Sequence, residues 1–227
     1  MGRTTNSNIL RLGSNVDWVA PISLFQLESV FFYIPFLLER LFLHNVEEAT
    51  FIPGPMSVKR FGQLSVLTVI MYDLKLKTSG SDRRFKRLIL SLLSRALASS
   101  LRKMFGGRLI VVFHMKTLLD IDAIFILNYF KLRLLQKFSV MEIVGAVHKL
   151  LSPVKGVKGY RIDITGRYGK QQRASKLTVR RGSVTLSTFS VNICYVEDFV
   201  ILKHGKCGFK VWLNRLPGVA SSGVFVN

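Results

Sequence analysis

The stretch from Lys158 to Arg181, KGYRIDITGRYGKQQRASKLTVRR, constrains the fold more than any other part of the chain. Tyr160, Ile162 and Ile164 alternate with polar residues, the period of a strand with one buried face. Gly166 and Gly169 punctuate a turn, and Leu177 and Val179 mark a second strand whose other face carries Lys176, Thr178 and Arg180. The segment holds eight Lys/Arg (Lys158, Arg161, Arg167, Lys170, Arg173, Lys176, Arg180 and Arg181) against one acid, Asp163. A solvated face normally mixes signs. This excess therefore reads as a cationic sheet surface built for a polyanion, the footprint of a nucleic-acid binder.

The rest of the chain has the same bias. Lys+Arg 33 against Asp+Glu 13 gives a net charge of +20, which opposes a compact monomer unless a polyanion is a standing neighbour. The hydrophobic fraction of 49% points to a folded core under a basic shell, not to a disordered basic arm. The longest uncharged apolar run, Val30–Leu38, is broken by Pro35 and closed by Glu39 and Arg40. It falls well short of the roughly 18 residues of a transmembrane helix, so no span is expected. The amino terminus, MGRTTNSNILRLG, resembles neither a secretion signal nor a transit peptide, so the chain is expected to act where it is made or to be exported without a cleavable leader.

Residues 1–20 read as an extended arm that Ile9, Leu10, Leu12 and Trp18 could pin down. Leu24–Leu43 is an apolar, helix-length run divided by Pro35, and Thr50–Pro55 reads as a loop. Gln63–Leu76 and 108–118 read as strands around a helix capped by Asp82 and running to about Phe105. Arg83, Arg84, Lys86 and Arg87 crowd the first turn of that helix, where the dipole favours anions and an anionic partner would relieve the conflict. A long apolar helix follows from Asp120 to about Leu151, with a possible break near Lys137–Ser139. Ser152, Pro153 and Gly156 then mark a boundary, beyond which strands are expected near 160–165, 174–180, 184–195 and 206–214. This gives an arm (1–20), an α/β domain (21–119), a connecting long helix (120–156), a mainly antiparallel α/β domain (157–215) and a tail (216–227).

Enzymatic chemistry has little support. His44, His114, His148 and His204 are scattered, Cys194 and Cys207 lack metal-ligand spacing, and no nucleophile elbow, phosphate loop or dinucleotide fingerprint occurs. No catalytic, metal or cofactor site is expected. Gly156–Gly159 is a literal GxxG, but it leads from a helix into a strand and reads more simply as a helix terminator. Trp212 could stack a base, although one aromatic in a strand is usually packing.

Several motifs together resemble the carboxyl-terminal domain of small-subunit ribosomal protein three, the KH-containing family of the small-subunit head. They are Lys158-Gly159, Thr165-Gly166-Arg167, Gly182 with Val184 and Leu186, and Gly205 with Gly208, Lys210, Val211 and Trp212. The start MGRTTNSNILRLG with Asp17-Trp18 is similar to that family's start. The middle departs: Lys77–Arg84 stands where the family carries its Gly-x-x-Gly clamp, and the 137–149 segment lacks the family's paired basic residues.

The resemblance implies an α+β fold, with a degenerate type II KH-like domain followed by a carboxyl-terminal α/β domain bearing a basic sheet. It implies a structural constituent of the small-subunit head that binds rRNA where mRNA enters, touching neighbouring head proteins and possibly mRNA. Arg167, Lys170, Arg173, Lys176, Arg180 and Arg181, with Lys158 and Arg161, would face rRNA phosphates. Arg3, Asn6, Asn8 and Arg11 would thread along rRNA, and Arg83, Arg84, Lys86 and Arg87 could still meet phosphate. The decayed clamp and apolar drift look most like the mitochondrial branch, which implies the matrix; a plastid or a bacterial cytoplasm is the alternative. The rival readings are a peripheral membrane protein, with Val30–Leu38 as its anchor, and a free RNA-binding regulator.

Overall fold

The structure is a computed structural model that describes residues 6–11, 51–61, 64–73, 88, 90–99, 102, 108–116, 121–154, 156–169 and 172–216. The chain divides into two compact units, Val19–Thr117 and a second made of Met1–Trp18 with Leu118–Asn227. The helical segment after 118 thus shares a unit with the carboxyl-terminal sheet.

In the first unit, β1 (Phe51–Phe61), β2 (Leu64–Asp73) and β3 (Arg108–Lys116) form a sheet in that order. β1 and β2 are antiparallel, whereas β2 and β3 are parallel. A parallel pair needs a crossover, and helical residues 90–99 (α1) lie within it. Leu67, Val69 and Met71 of β2 pack with Phe51, Val111 and Leu90, while Ile70 and Tyr72 are buried on the other face. Burial on both faces explains why β2 reads as a nearly continuous apolar run.

The expected loop over Thr50–Pro55 is instead the start of β1. β1 is an edge strand with a register shift between Pro53 and Met56, so its prolines sit where a strand tolerates a missing donor. The Leu24–Leu43 run, the Asp82 cap and Leu12 and Trp18 lie outside the described residues.

In the second unit the expected long helix is two, α2 (Ala123–Leu135) and α3 (Val140–Leu151). Lys137 adopts φ 66 between them, and Ser139 restarts the chain with a capping box: its hydroxyl accepts from the Glu142 amide, and the Glu142 carboxylate accepts from the Ser139 amide. α3 buries Val140, Ile143, Val147 and Leu151 along one stripe.

The strands β4 (Val157–Gly166), β5 (Ser175–Gly182), β6 (Asn192–Leu202) and β7 (Gly205–Arg215) pair antiparallel in the order β5-β4-β7-β6. One face is apolar. It presents Tyr160, Ile162 and Ile164 beside Phe209, Val211 and Leu213, all buried. α2 packs on β6 and β7 there, with Phe130 and Phe209 ring centroids 6.0 Å apart. Two ion pairs tie α2 to those strands: Lys131 to Asp198 at 2.5 Å, and Arg215 to Asp122 and the Ile121 carbonyl.

The strand expected at 184–195 forms later, at Asn192–Leu202. Gly182 ends β5 at φ +67, where a Cβ would lie 2.3 Å from the Lys158 carbonyl oxygen, so only glycine fits. The following loop crosses one end of the sheet's other face, where Val184 packs with Ile193, Tyr195 and Trp212.

Arg11 holds that loop. Its guanidinium donates to the carbonyls of Ser7 (2.9 Å), Thr188 (2.7 Å), Val191 (3.1 Å) and Leu186 (3.4 Å), and the residue is fully buried. Nearby, the Asn8 side-chain amide donates to the Tyr195 carbonyl at 2.8 Å and accepts from its N–H at 2.9 Å. Asn8 thereby stands in for a neighbouring strand on the outer edge of β6. The described part of the expected extended arm is therefore a docked turn with a short 3-10 helix, Ile9–Arg11. Its anchors are the polar Asn8 and Arg11, while Ile9 and Leu10 are exposed.

Arg11→Ala would leave several carbonyls without their donor and should destabilise the protein by about 3 kcal/mol, against about 1 kcal/mol for Asn8→Ala. Urea denaturation of both variants checks the order; equal, near-zero losses would contradict the anchoring role.

Candidate nucleic-acid interface

The cations of 158–181 do not share one surface. Strand register places Arg161 opposite Arg180, Asp163 opposite Thr178, and Thr165 opposite Lys176, all on the face turned away from α2. β7 and β6 extend that face with Trp212 beside Arg161, Lys210 beside Asp163, and Glu197 beside Lys210. Arg181 pairs with Tyr160 and so belongs to the apolar, helix-covered face, reaching its rim.

Asp163 organises the centre of the open face. Arg161 grips it with two bonds, Nε to Oδ1 at 2.9 Å and Nη2 to Oδ2 at 2.8 Å, while Lys176 Nζ lies 3.5 Å from Oδ2. Burial alone would raise the Asp163 pKa; the Arg161 hydrogen bonds and the charges of Arg161 and Lys176 overcome it and hold the carboxyl below its ordinary value. The Arg161 guanidinium also covers Trp212, 4.9 Å from the ring centroid. Trp212 is 1% exposed, so it is packing and offers no face for a base. Further along, the Tyr195 hydroxyl donates to Glu197 at 2.5 Å and Lys210 Nζ lies 3.4 Å from the same carboxylate. The Tyr195 and Lys210 contacts hold Glu197 below its ordinary pKa, while burial, together with the Glu197 carboxylate, raises that of Tyr195.

The remaining expected contacts separate clearly. Lys158, Arg173, Lys176, Arg180 and Arg181 are exposed, and Arg167 is half-buried. Arg180 Nη2 donates to the Val184 carbonyl at 3.2 Å, and Arg181 Nη1 lies 2.6 Å from His148 Nε2. Arginine only donates, so that imidazole nitrogen accepts, and His148 Nδ1 faces the Tyr160 hydroxyl at 3.3 Å. Asn6 accepts from the Asn8 amide at 2.9 Å.

Arg11 is buried among carbonyls of its own unit and the Asn8 side chain is occupied by β6, whereas the half-buried Arg161 bonds Asp163 and covers Trp212. Arg3, Arg83, Arg84, Lys86, Arg87 and Lys170 lie outside the described residues. Gly156 precedes β4 directly, and its carbonyl accepts from Leu216 at 3.0 Å, so the GxxG is part of a strand entrance.

Sequence reasoning missed Lys203, His204 and Lys206, exposed at the β6–β7 turn. Their local signal is a short basic run, and only the pairing of β4 with β7 brings them toward the end of β4. Among the described residues no group of three His, Cys, Asp or Glu is placed to hold a metal, and no helix is long and apolar enough to cross a membrane. Burial raises the thiol pKa of Cys194 and Cys207, away from nucleophilic thiolate.

No protein-family model matches the chain. Among curated proteins it is 29% identical over 133 residues to small ribosomal subunit protein uS3m of Acanthamoeba castellanii, covering 57% of this chain and 43% of that one. It is 31% identical over 96 residues to uS3c of Euglena longa, covering 42% of this chain and 43% of that one. To uS3 of Alder yellows phytoplasma it is 24% identical over 225 residues, covering 95% and 83%. The chain thus spans less than half the length of the two organellar relatives and most of the bacterial one.

A carboxylate whose pKa is depressed by folding stabilises the native state above its unfolded value and loses that contribution as pH falls through the folded one. Asp163→Asn should therefore flatten the acid side of the stability–pH profile, below about pH 4, relative to the wild type. Denaturation midpoints at stepped pH measure it, and parallel profiles for the two proteins would refute the Asp163 clasp.

Proposed function

We propose that this chain, a distant relative of the uS3 family of small-ribosomal-subunit proteins, is a structural component of a small ribosomal subunit that binds rRNA through its carboxyl-terminal unit. Its role is structural and not enzymatic. The single observation that carries the reading is the β4–β5 hairpin, where Lys158, Arg173, Lys176, Arg180 and Arg181 stand exposed on and around an edge strand. Such cations neutralise phosphates and set register along a nucleic-acid backbone without choosing sequence.

The finer placement is the head of the subunit, beside neighbouring head proteins and mRNA at the entry channel. The first unit, a mixed three-stranded sheet with an α crossover, is consistent with a KH-like domain that has lost its clamp. We favour a mitochondrial ribosome because the Acanthamoeba relative is a uS3m. A plastid or bacterial ribosome would use the same surface. The domain scheme that goes with this reading keeps 157–215 as the RNA-binding module and draws 120–156 into it as two packing helices.

Sedimentation of extracts tests the reading. The chain should travel with small subunits, resist detergent, and be released by RNase or by EDTA. Release by detergent with indifference to RNase would mark a peripheral membrane protein, and migration as a small free particle at low salt would mark an RNA-binding regulator.

A further inference from the structure

We propose that the outward side of α3 and the corner before it form a docking surface for an apolar helix of a neighbouring protein. This rests on the ribosomal reading, which supplies the neighbours, and adds a contact that involves no RNA. α3 turns Val140, Ile143, Val147 and Leu151 inward. At about 3.6 residues per turn its opposite side collects Met141, Glu142, Gly145 and Lys149, all exposed. Met141 is 70% exposed, and Phe138 and Leu135 at the corner are 44% and 41% exposed. The Phe138 ring is held in place: the Arg133 guanidinium lies 4.9 Å from its centroid and 5.3 Å from that of Tyr129, while Arg133 Nη1 donates to Gln136 Oε1 at 3.1 Å.

Gly145 is the second observation. A glycine inside a helix is less stable there than alanine, because it loses more conformational freedom on folding. Gly159 and Gly182 are demanded by the chain's own packing, a Cβ meeting backbone atoms at 2.6 and 2.3 Å. A Cβ on Gly145 would meet no atom within 4 Å among the described residues, so the unit itself does not require it. A backbone arriving from outside does: with no side chain at the crossing point, a partner helix packs more closely than it otherwise could. The bare spot lies one turn from Met141, which gives the partner a ridge beside a hollow.

Charge selects the class of partner. In a chain with 33 Lys and Arg, the segment from Phe138 to His148 has neither, so a phosphate would find no cation along it. Its one acid, Glu142, accepts from the Ser139 amide at 3.1 Å and is spent on the capping box. Exposed Met and Phe without exposed cations is the composition of an interface centre between proteins. Lys137 and Lys149, both exposed, border the strip at its two ends. The complementary helix is therefore apolar in the middle and acidic where it passes them. A second copy of this chain would instead bring another +20 and set lysine against lysine.

The test uses small subunits purified from cells that make the full chain with a photoreactive diazirine analogue in place of methionine. Irradiation should join the peptide carrying Met141 to a neighbouring protein, at a helical segment whose apolar face is bordered by Asp or Glu. Adducts of that peptide to rRNA, to lipid or to a second copy of this chain, or no adduct at all, overturn the proposal and leave the ribosomal reading intact. Gly145→Leu, in competition with co-expressed wild type, should be recovered in small subunits about tenfold less often, the effect of forcing a side chain into a packed contact. Equal recovery overturns the close helix crossing. In the free chain Gly145→Ala and Gly145→Leu should both raise the urea midpoint, since each favours the helix and neither meets a clash. A fall for both would assign Gly145 to the unit's own packing and overturn the argument made from it. Absence of the wild-type chain from small subunits overturns the ribosomal reading together with this one.

Discussion

Like-charge repulsion is the constraint to which the rest of this structure answers. Thirty-three Lys and Arg against thirteen Asp and Glu must be arranged around a core that is itself rich in large apolar residues. The second unit places a few cations inside and gives each an anionic or carbonyl cage. Lys131 meets Asp198, Arg215 meets Asp122, Arg161 meets Asp163, and Arg11 meets four backbone carbonyls. Buried pairs of this kind add little net stability over apolar packing, but breaking one is costly, so they act as register marks. Here they fix α2 on β6 and β7, and the loop after Gly182 across the sheet.

Once those internal positions are filled, the remaining charge has one economical place, the rim. The clasp of Arg161, Asp163 and Lys176 tones down the middle of the open face, and the Tyr195, Glu197 and Lys210 cluster does the same next to it. The exposed cations Lys158, Arg173, Arg180 and Arg181 lie on and around the edge strand β5. The sheet is thus a scaffold whose outline, more than its broad face, carries the cationic surface. Glycines at 166 and 182 let the chain approach itself closely at both ends of the β4–β5 pair.

Much of this was legible from residues alone, and the failures have physical causes. Alternation at Tyr160, Ile162 and Ile164 announced β4, because side chains on a half-buried strand must alternate. Leu177 and Val179 announced β5 in the same way. The break between α2 and α3 was visible as an interruption near Lys137–Ser139. By contrast, Pro53 and Pro55 read as a loop because local propensity does not reveal that the strand will lie at a sheet edge. The run at 184–191 read as a strand, yet Arg11, far away in sequence, takes three of its carbonyls. Arg11 itself looked like one more basic residue of a polar arm, and nothing nearby marks it as internal. The position of Lys203, His204 and Lys206 near the end of β4 follows from β4 pairing with β7, a non-local choice that no local window contains.

The most direct test of the central claim is a density map of the small ribosomal subunit from the organism that makes this chain. The account predicts the chain in the head, with Arg173, Lys176, Arg180 and Arg181 pressed against rRNA phosphates and Arg11 enclosed within its own unit. A subunit lacking the chain, or one in which those cations face solvent or lipid while rRNA lies elsewhere, would contradict it.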